Sequence, residues 1–154
     1  MRQIEIVVET VSQAGPAEVF RLLRDGSTWP KWSLFQRFEL ERAGVGDRLG
    51  VGAIRVFSTR VSRAREEVVE SVPDRRLSYI LLSGMPLEDY RADVDLIPAT
   101  PVGTSIRWRS SFRARHPALG WFWRWLMTRT LVDVGRQLAR AAEDPSMVAL
   151  ADRP

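Results

Sequence analysis

The chain has 154 residues, 45% of them hydrophobic and 27% charged, which are proportions typical of one soluble domain with a buried core. It has no cysteine and a single histidine, His116, so disulfides and thiolate metal sites are excluded and we expect no metal and no cofactor. The net charge of +4 comes from 23 basic and 19 acidic residues. Because the arginines are spread along the chain and not gathered in one patch, we expect no nucleic-acid partner.

The N-terminal segment and the lengths of the apolar runs predict a cytoplasmic protein. The first twelve residues, MRQIEIVVETVS, lack the unbroken apolar core of a signal peptide. No apolar run approaches the roughly 18 residues that indicate a membrane span. Stable insertion into a membrane is therefore not expected.

The first elements are a strand and a short helix. Apolar residues at positions 4, 6 and 8 alternate with more polar ones, which predicts a strand with one buried face. Pro16 suits the first position of a helix, and the apolar residues between 19 and 23 supply its buried side. The stretch DGSTWPKWS then ends this helix and carries two tryptophans, Trp29 and Trp32.

Six extended segments follow, separated by short stretches rich in Gly, Pro, Ser and Asp. They are Phe35–Arg42, Leu49–Ser58, Val61–Val72, Arg76–Ser83, Glu88–Ile97 and Thr104–Ala114. Short connections between consecutive strands predict an antiparallel meander. No helix-length pattern interrupts the segments, which disfavours a parallel sheet.

One long amphipathic helix is predicted over residues 117–143. Its predicted buried stripe consists of Phe122, Trp125, Thr128, Leu131, Val132, Gly135, Leu138, Ala139 and Ala142. We interpret residues 1–144 as a single ligand-binding domain and residues 145–154 as a flexible tail.

Four stretches, in order, resemble the START-like (SRPBCC) helix-grip superfamily, close to its polyketide cyclase/dehydrase and lipid-transport group. They are VSQAGPAEVFRLLRDGSTWPKWS, VGAIRVF, REEVVESVPDRRLSY and VGTSIRW. The resemblance covers about residues 4–142, and one departure is Val102, where the group commonly has an acidic residue before Gly-Thr. It implies an α+β fold in which a curved antiparallel sheet of about seven strands wraps around the C-terminal helix.

A curved sheet that grips a helix leaves space for a small hydrophobic ligand, of a lipid-like, polyketide-like or aromatic kind. We therefore expect a binding or carrier protein. Two alternatives remain open. One is an enzyme of the polyketide cyclase or dehydratase type that uses the same cavity, and the other is an interaction module for a quinone or a membrane partner.

Arg55 is the polar residue that the strand pattern places in the apolar interior, because it shares its parity with Ala53 and Phe57. A buried guanidinium needs an anionic partner. A two-residue turn at positions 58–59 would bring Glu66 to the same face, whereas a three-residue loop would bring Glu67 there; we favour Glu66. The pair either stabilises the sheet or anchors a polar group of the ligand.

Most of the other candidates are aromatic. Trp29, Trp32, Trp108 and Tyr79 are predicted to face the cavity, where rings can stack on a flat ligand. Glu66, Tyr79 and Tyr90 are the candidates for proton transfer, although none has a signature partner. The complete set of predicted ligand-binding residues is Trp32, Arg55, Phe57, Glu66, Tyr79, Tyr90, Trp108, Phe122 and Trp125.

The segment GWFWRWLM opens the long helix and is unusually aromatic. Phe122 and Trp125 lie on the predicted buried stripe, so we expect them to cap one end of the cavity. Trp121 and Trp123 fall off the stripe, and they either lie under the loop at 84–88 or stay exposed. An exposed aromatic helix start could instead form a homodimer interface or touch a membrane surface.

Overall fold

A computed structural model describes residues 2–151 of the chain and contains seven strands and four α-helices in that range. In chain order the elements are β1 (Ile4–Ser12), α1 (Pro16–Arg24), α2 (Trp29–Trp32), β2 (Arg37–Arg42), β3 (Ile54–Ser58), β4 (Arg63–Val72), β5 (Arg76–Ser83), β6 (Leu87–Pro98), β7 (Thr104–Ala114), α3 (Gly120–Ala142) and α4 (Pro145–Val148). Short 3-10 turns precede α2 and α3.

The strands form one curved antiparallel sheet in the order β1-β7-β6-β5-β4-β3-β2. Strands β2 to β7 make a meander, and β1 pairs with the last strand of that meander, from Ile4 opposite Phe112 to Ser12 opposite Thr104. The chain crosses from one edge of the sheet to the other through α1 and α2. The predicted helix-grip architecture is confirmed, with α3 packed against β1 and β7.

The central strands separate a buried face from an outer face. In β6 and β7 the buried positions alternate with half-exposed ones, so that Tyr90, Val94 and Trp108 face the helices. The opposite face carries charges that pair across strands: Arg76 and Arg109 both bind Asp95. One apolar core therefore fills the space between the sheet and the helices α1 and α3.

Several strand boundaries differ from the sequence-based prediction, and β2, β3 and β4 all begin later than predicted; β2 begins at Arg37 and not at Phe35. Strand β3 begins at Ile54 and not at Leu49, because the chain turns at Gly52, whose φ of +92° is incompatible with an extended strand. Strand β4 begins at Arg63 and not at Val61, because residues 59–62 form a four-residue loop in which the Thr59 hydroxyl accepts hydrogen bonds from the backbone of Val61 and Ser62.

Helix α3 has 23 residues and buries a stripe that differs from the predicted one in its first half. The predicted positions 131, 135, 138, 139 and 142 are buried, and so are Met127 and Val134. Counting back from Leu131 in steps of four gives Met127 and Trp123 as inward positions, not Phe122 and Trp125. No helix within residues 2–151 has the length and apolar character that a bilayer crossing requires.

The predicted flexible tail over residues 145–154 is corrected over 145–151. Pro145 occupies the first position of α4, and the carboxylate of Asp144 caps this helix by accepting a hydrogen bond from the Ser146 amide. Val148 and Ala151 are buried in the main core. The last predicted tail residues, 152–154, lie outside the described range.

Candidate ligand-binding site

A cavity of about 390 Å³ lies between the sheet and the first half of α3. This volume is within the range of about 300–1,000 Å³ that is common for small-molecule sites. The lining is mainly aromatic and aliphatic. Its members are Trp29, Leu34, Phe35, Phe57, Thr59, Val61, Ser62, Ala64, Glu66, Tyr79, Leu81, Gly84, Met85, Tyr90, Trp108, Trp123, Leu126, Met127, Thr130, Leu131 and Val134.

Glu66 is the one charged residue in this lining, and it is paired with Arg55 as predicted. The two residues stand opposite each other on β3 and β4. The Nε and Nη2 atoms of Arg55 donate to the same carboxylate oxygen, Oε1 of Glu66, at 3.1 and 2.5 Å. The connecting loop has four residues and not the predicted two; both numbers are even, so Glu66 and not Glu67 shares a face with Arg55.

Arg55 itself does not line the cavity, which corrects its predicted place in the binding surface. Its side chain has no exposed area. Its Nη1 atom donates to the carbonyl oxygen of Leu23 at 2.9 Å, in the last turn of α1, where a carbonyl has no partner within the helix. The guanidinium carbon also lies 5.1 Å from the centre of the Phe57 ring and 5.4 Å from that of Trp29. Arg55 therefore connects α1 to the sheet behind the cavity wall.

The second carboxylate oxygen of Glu66, Oε2, has no hydrogen-bond partner among the described residues, and the Glu66 side chain keeps a small exposed area. Burial raises the pKa of the Glu66 carboxyl, and the charge and hydrogen bonds of Arg55 oppose that rise. The ion pair keeps the carboxylate charged near neutral pH, because protonation would leave the buried guanidinium without a counter-ion. An unpaired anionic acceptor is thus available at the cavity wall.

Two tyrosines and a tryptophan stand beside this acceptor. The indole N–H of Trp108 donates to the hydroxyl of Tyr79 at 3.2 Å, and the hydroxyls of Tyr90 and Ser110 are 2.9 Å apart. Burial raises the pKa of Tyr79 well above its ordinary value and that of Tyr90 to about 12. Both phenols are therefore neutral at neutral pH and act as hydrogen-bonding groups, not as bases.

Trp29 and Phe57 form an aromatic wall, and Trp32 stands behind it. The ring centres of Trp29 and Phe57 are 4.5 Å apart. Trp32 packs against Trp29 at 5.1 Å and donates its indole N–H to Thr28, so it does not reach the cavity. Its predicted role in ligand binding is therefore indirect: the short helix α2 turns Trp29 inward and leaves Trp32 in the second layer.

The aromatic start of α3 meets the cavity through Trp123. This side chain lines the cavity together with Gly84 and Met85 of the loop that it was predicted to approach. Phe122 is half-buried outside the lining, and Trp125 is 55% exposed, so neither caps the cavity as predicted. Trp121 is 72% exposed. The size of these aromatic side chains led to the wrong prediction of the buried face. The residues that face inward in the first turns of α3 are those at helical spacing from Leu131.

The prediction missed several lining residues, and most of them had a readable signal. Leu81 shares the parity of Tyr79 on β5, and Ala64 shares that of Glu66 on β4. Met127 and Val134 flank Leu131 at helical spacing. Leu34, Phe35 and Met85 lie in loops, where no periodicity indicates which side chains turn inward.

Residues 2–151 contain no cluster of three or more His, Cys, Asp or Glu side chains that could hold a metal ion. The polar groups at the cavity are one carboxylate and several hydroxyls. Their arrangement can orient a small molecule by hydrogen bonds while rings enclose its apolar part.

Comparison with solved structures shows the same fold in proteins of low sequence identity. Ara h 8.0201 is 16% identical with a TM-score of 0.75, over 92% of this chain and 99% of that one. A START superfamily protein from Mycobacterium smegmatis is 14% identical with a TM-score of 0.75, over 92% and 97%. Norcoclaurine synthase from Thalictrum flavum, in complex with dopamine and hydroxybenzaldehyde, is 12% identical with a TM-score of 0.70, over 90% and 86%.

No curated protein sequence matches the chain. Residues 3–143, in contrast, match the family described as polyketide cyclase / dehydrase and lipid transport. That match spans both the sheet and the whole of α3. The resemblance read from the four sequence stretches is confirmed, and the chain belongs to this family of START-like helix-grip proteins.

Proposed function

We propose that the protein binds a small hydrophobic ligand in the cavity between the sheet and α3. The observation that carries the proposal is the lining itself: aromatic and aliphatic side chains enclose about 390 Å³, and a single carboxylate interrupts them. The family described above includes lipid transport in its name, which agrees with such a ligand. Binding or carrying is the function that this geometry supports best.

A fluorescence titration with N-phenyl-1-naphthylamine tests the proposal, because this uncharged probe becomes brighter in an apolar environment. We expect saturable binding of one probe per chain. In the variant Val134→Phe the new ring projects from a buried position of α3 into the cavity, so we expect probe affinity to fall at least tenfold.

Val132→Phe is the matched control, since it adds the same ring on α3 at a half-buried position outside the lining. We expect this variant to bind like the wild type. Equal binding by all three proteins would show that the probe sits elsewhere, and no saturable binding by the wild type would remove the proposed function.

A second candidate, an enzyme of the polyketide cyclase or dehydratase type, is favoured by the position of Glu66. Its free oxygen faces a mostly apolar cavity, and burial raises the pKa of the Glu66 carboxyl. The related fold of norcoclaurine synthase holds two aromatic molecules in its complex. We infer that Glu66 would be the proton-transfer group if a reaction takes place.

The enzyme candidate is tested by supplying an aromatic polyketide substrate to the wild type and to Glu66→Gln. If Glu66 is catalytic, we expect Glu66→Gln to lower kcat at least about a hundredfold, while the ligand still binds. Equal turnover by both proteins would exclude Glu66 as the acid or base.

The third alternative, an interaction module, rests on the exposure of Trp121 and Trp125 and stays a prediction.

A further inference from the structure

We propose that the cavity selects hydrophobic ligands that carry a hydrogen-bond donor, a hydroxyl or a protonated amine, and that it discriminates against carboxylates. The inference rests on the proposed function and specifies the ligand class of the same site. It follows from the way in which the buried ion pair is arranged: the anion faces the cavity, and the cation lies behind it.

The guanidinium of Arg55 is not available to bind a ligand. All three nitrogen atoms of Arg55 have protein partners, two of them on Glu66 and one on the carbonyl of Leu23. The remaining surface of the guanidinium is covered by the rings of Trp29, Phe57 and Tyr79, which lie 5.1–5.6 Å from its carbon atom, and the side chain has no exposed area. A ligand carboxylate therefore finds no basic side chain with which to pair.

The carboxylate of Glu66 is available to accept a hydrogen bond from a ligand. Glu66 is the one charged residue in the lining. Both of its hydrogen bonds from Arg55 go to Oε1, and Oε2 has no partner among the described residues. This oxygen faces a mostly apolar cavity and lacks a protein donor, and a ligand hydroxyl or ammonium group would supply the missing hydrogen bond. A ligand carboxylate at the same place would add a second negative charge in a mostly apolar site and leave Oε2 unpaired.

The neighbouring hydroxyls do not reverse this selection. The Tyr79 hydroxyl accepts from Trp108, and the Tyr90 hydroxyl is paired with Ser110; each phenol can act as donor or acceptor. The hydroxyls of Thr59 and Ser62, in the loop between β3 and β4, are bonded to each other. The preference between donor and acceptor ligands is thus determined by Glu66.

Three naphthalene derivatives provide the test, because they share one ring system and differ in the polar group. 2-Naphthol has a donor, 2-methoxynaphthalene keeps the oxygen without the donor, and 2-naphthoate is an anion at neutral pH; naphthalene itself is the apolar reference. We expect the wild type to bind naphthol at least about tenfold more tightly than methoxynaphthalene, as for a hydrogen bond to a charged acceptor, and naphthoate more weakly than naphthalene.

Two variants connect the preference to Glu66. In Glu66→Gln the amide oxygen accepts the hydrogen bonds of Arg55, so the amide N–H₂ group points to the cavity. We therefore expect the preference for naphthol over methoxynaphthalene to fall to about twofold or less. If this variant does not fold, the double variant Arg55→Met with Glu66→Met removes both charges together, which proteins tolerate better than the loss of one partner. In this double variant we expect no preference for naphthol over methoxynaphthalene.

Each outcome bears on the inference. Equal affinities for naphthol and methoxynaphthalene in the wild type, or tight binding of naphthoate, overturn it while leaving cavity binding intact. A naphthol preference that persists without Glu66 overturns it as well. If naphthalene fails to bind, the proposed function itself fails, and the result is distinguishable from the other two.

Discussion

The buried charges of Arg55 and Glu66 stabilise the fold only as a pair, because each charge neutralises the other. Arg55 is enclosed between three rings and one carboxylate, and it also binds the end of α1. Removing one partner leaves the other charge buried and uncompensated, which costs about 3–5 kcal/mol. Replacing both with apolar side chains of similar size avoids that cost.

We therefore expect Arg55→Met to lower the free energy of unfolding by about 3–5 kcal/mol, whereas the double variant Arg55→Met with Glu66→Met recovers most of this loss. Urea denaturation followed by tryptophan fluorescence measures both values. A double variant that is as unstable as the single one would mean that the bond from Arg55 to Leu23, and not the ion pair, carries the stabilisation.

The pH dependence of stability reports on Glu66 separately. Since its folded pKa is raised above the ordinary value of 4.5, the folded state takes up this proton more readily than the unfolded state. The resulting contribution is complete below the ordinary value and is lost as the pH rises through the folded pKa. We expect the difference in unfolding free energy between the wild type and the double variant to decrease as the pH rises from below 4.5 through the raised, folded pKa of Glu66. A difference that grows over this range would mean that the pKa is lowered.

The position of Arg55 could be read from the sequence, but its surroundings could not. Strand parity with Phe57 predicts an inward side chain, and an even loop length leads to Glu66 whether the loop has two residues or four. The bond to Leu23 joins residues 32 positions apart on different elements, and no local pattern indicates such a contact. The withdrawal of Arg55 from the cavity depends on that contact.

At the scale of elements, α3 shows where periodicity succeeds and where composition misleads. From Leu131 to Ala142 most of the predicted stripe is buried, although Val132 is only half-buried and Val134 is buried in addition. The first turns differ because four aromatic side chains in close succession fit more than one stripe. The contacts of α3 with β1 and β7 select the face that carries Trp123 and Met127. Only the packing partner resolves that choice.

Substitutions of neighbouring tryptophans on α3 test the assigned face. We expect Trp121→Ala to change the free energy of unfolding by less than about 0.5 kcal/mol, because this side chain is mostly in solvent. Trp123→Ala removes a ring that packs on the core, so we expect a loss of about 1–3 kcal/mol. Thermal and urea unfolding measure both, and equal effects would contradict the assigned face.

On the outer face of the sheet, the pKa of Asp93 is shifted in the opposite direction to that of Glu66. Burial alone would raise the pKa of Asp93, but hydrogen bonds from Ser78 and Arg91 outweigh it and lower this pKa below its ordinary value of 3.8. The stabilisation is present above the ordinary value and is lost as the pH falls through the lower, folded value.

We expect Asp93→Asn to reduce the loss of stability that the wild type shows below about pH 4. The matched control is Asp133→Asn, on the exposed face of α3, which is expected to leave the acid dependence nearly unchanged. Urea unfolding at several acidic pH values gives the comparison. An unchanged slope for Asp93→Asn would show that the interactions of this carboxylate do not persist in solution.

At the scale of the whole molecule, the order of elements and the resemblance over residues 4–142 were sufficient to predict the sheet and the gripped helix. The space between them was predictable in kind, since a curved sheet does not contact a straight helix along its whole length. Its detailed lining was not predictable, because the loops at 34–35, 59–62 and 84–85 close over one end without any periodic pattern. The short helix α4 was missed because its one turn carries too few residues to show a period.

A crystal structure of the protein with bound 2-naphthol tests the claim of a ligand cavity most directly. We expect the naphthalene ring between Trp108 and the inward side chains of α3, with its hydroxyl within hydrogen-bond distance of Oε2 of Glu66. Naphthol bound only on the outer surface, with the space between the sheet and α3 filled by protein side chains, would contradict both the cavity and the function proposed for it.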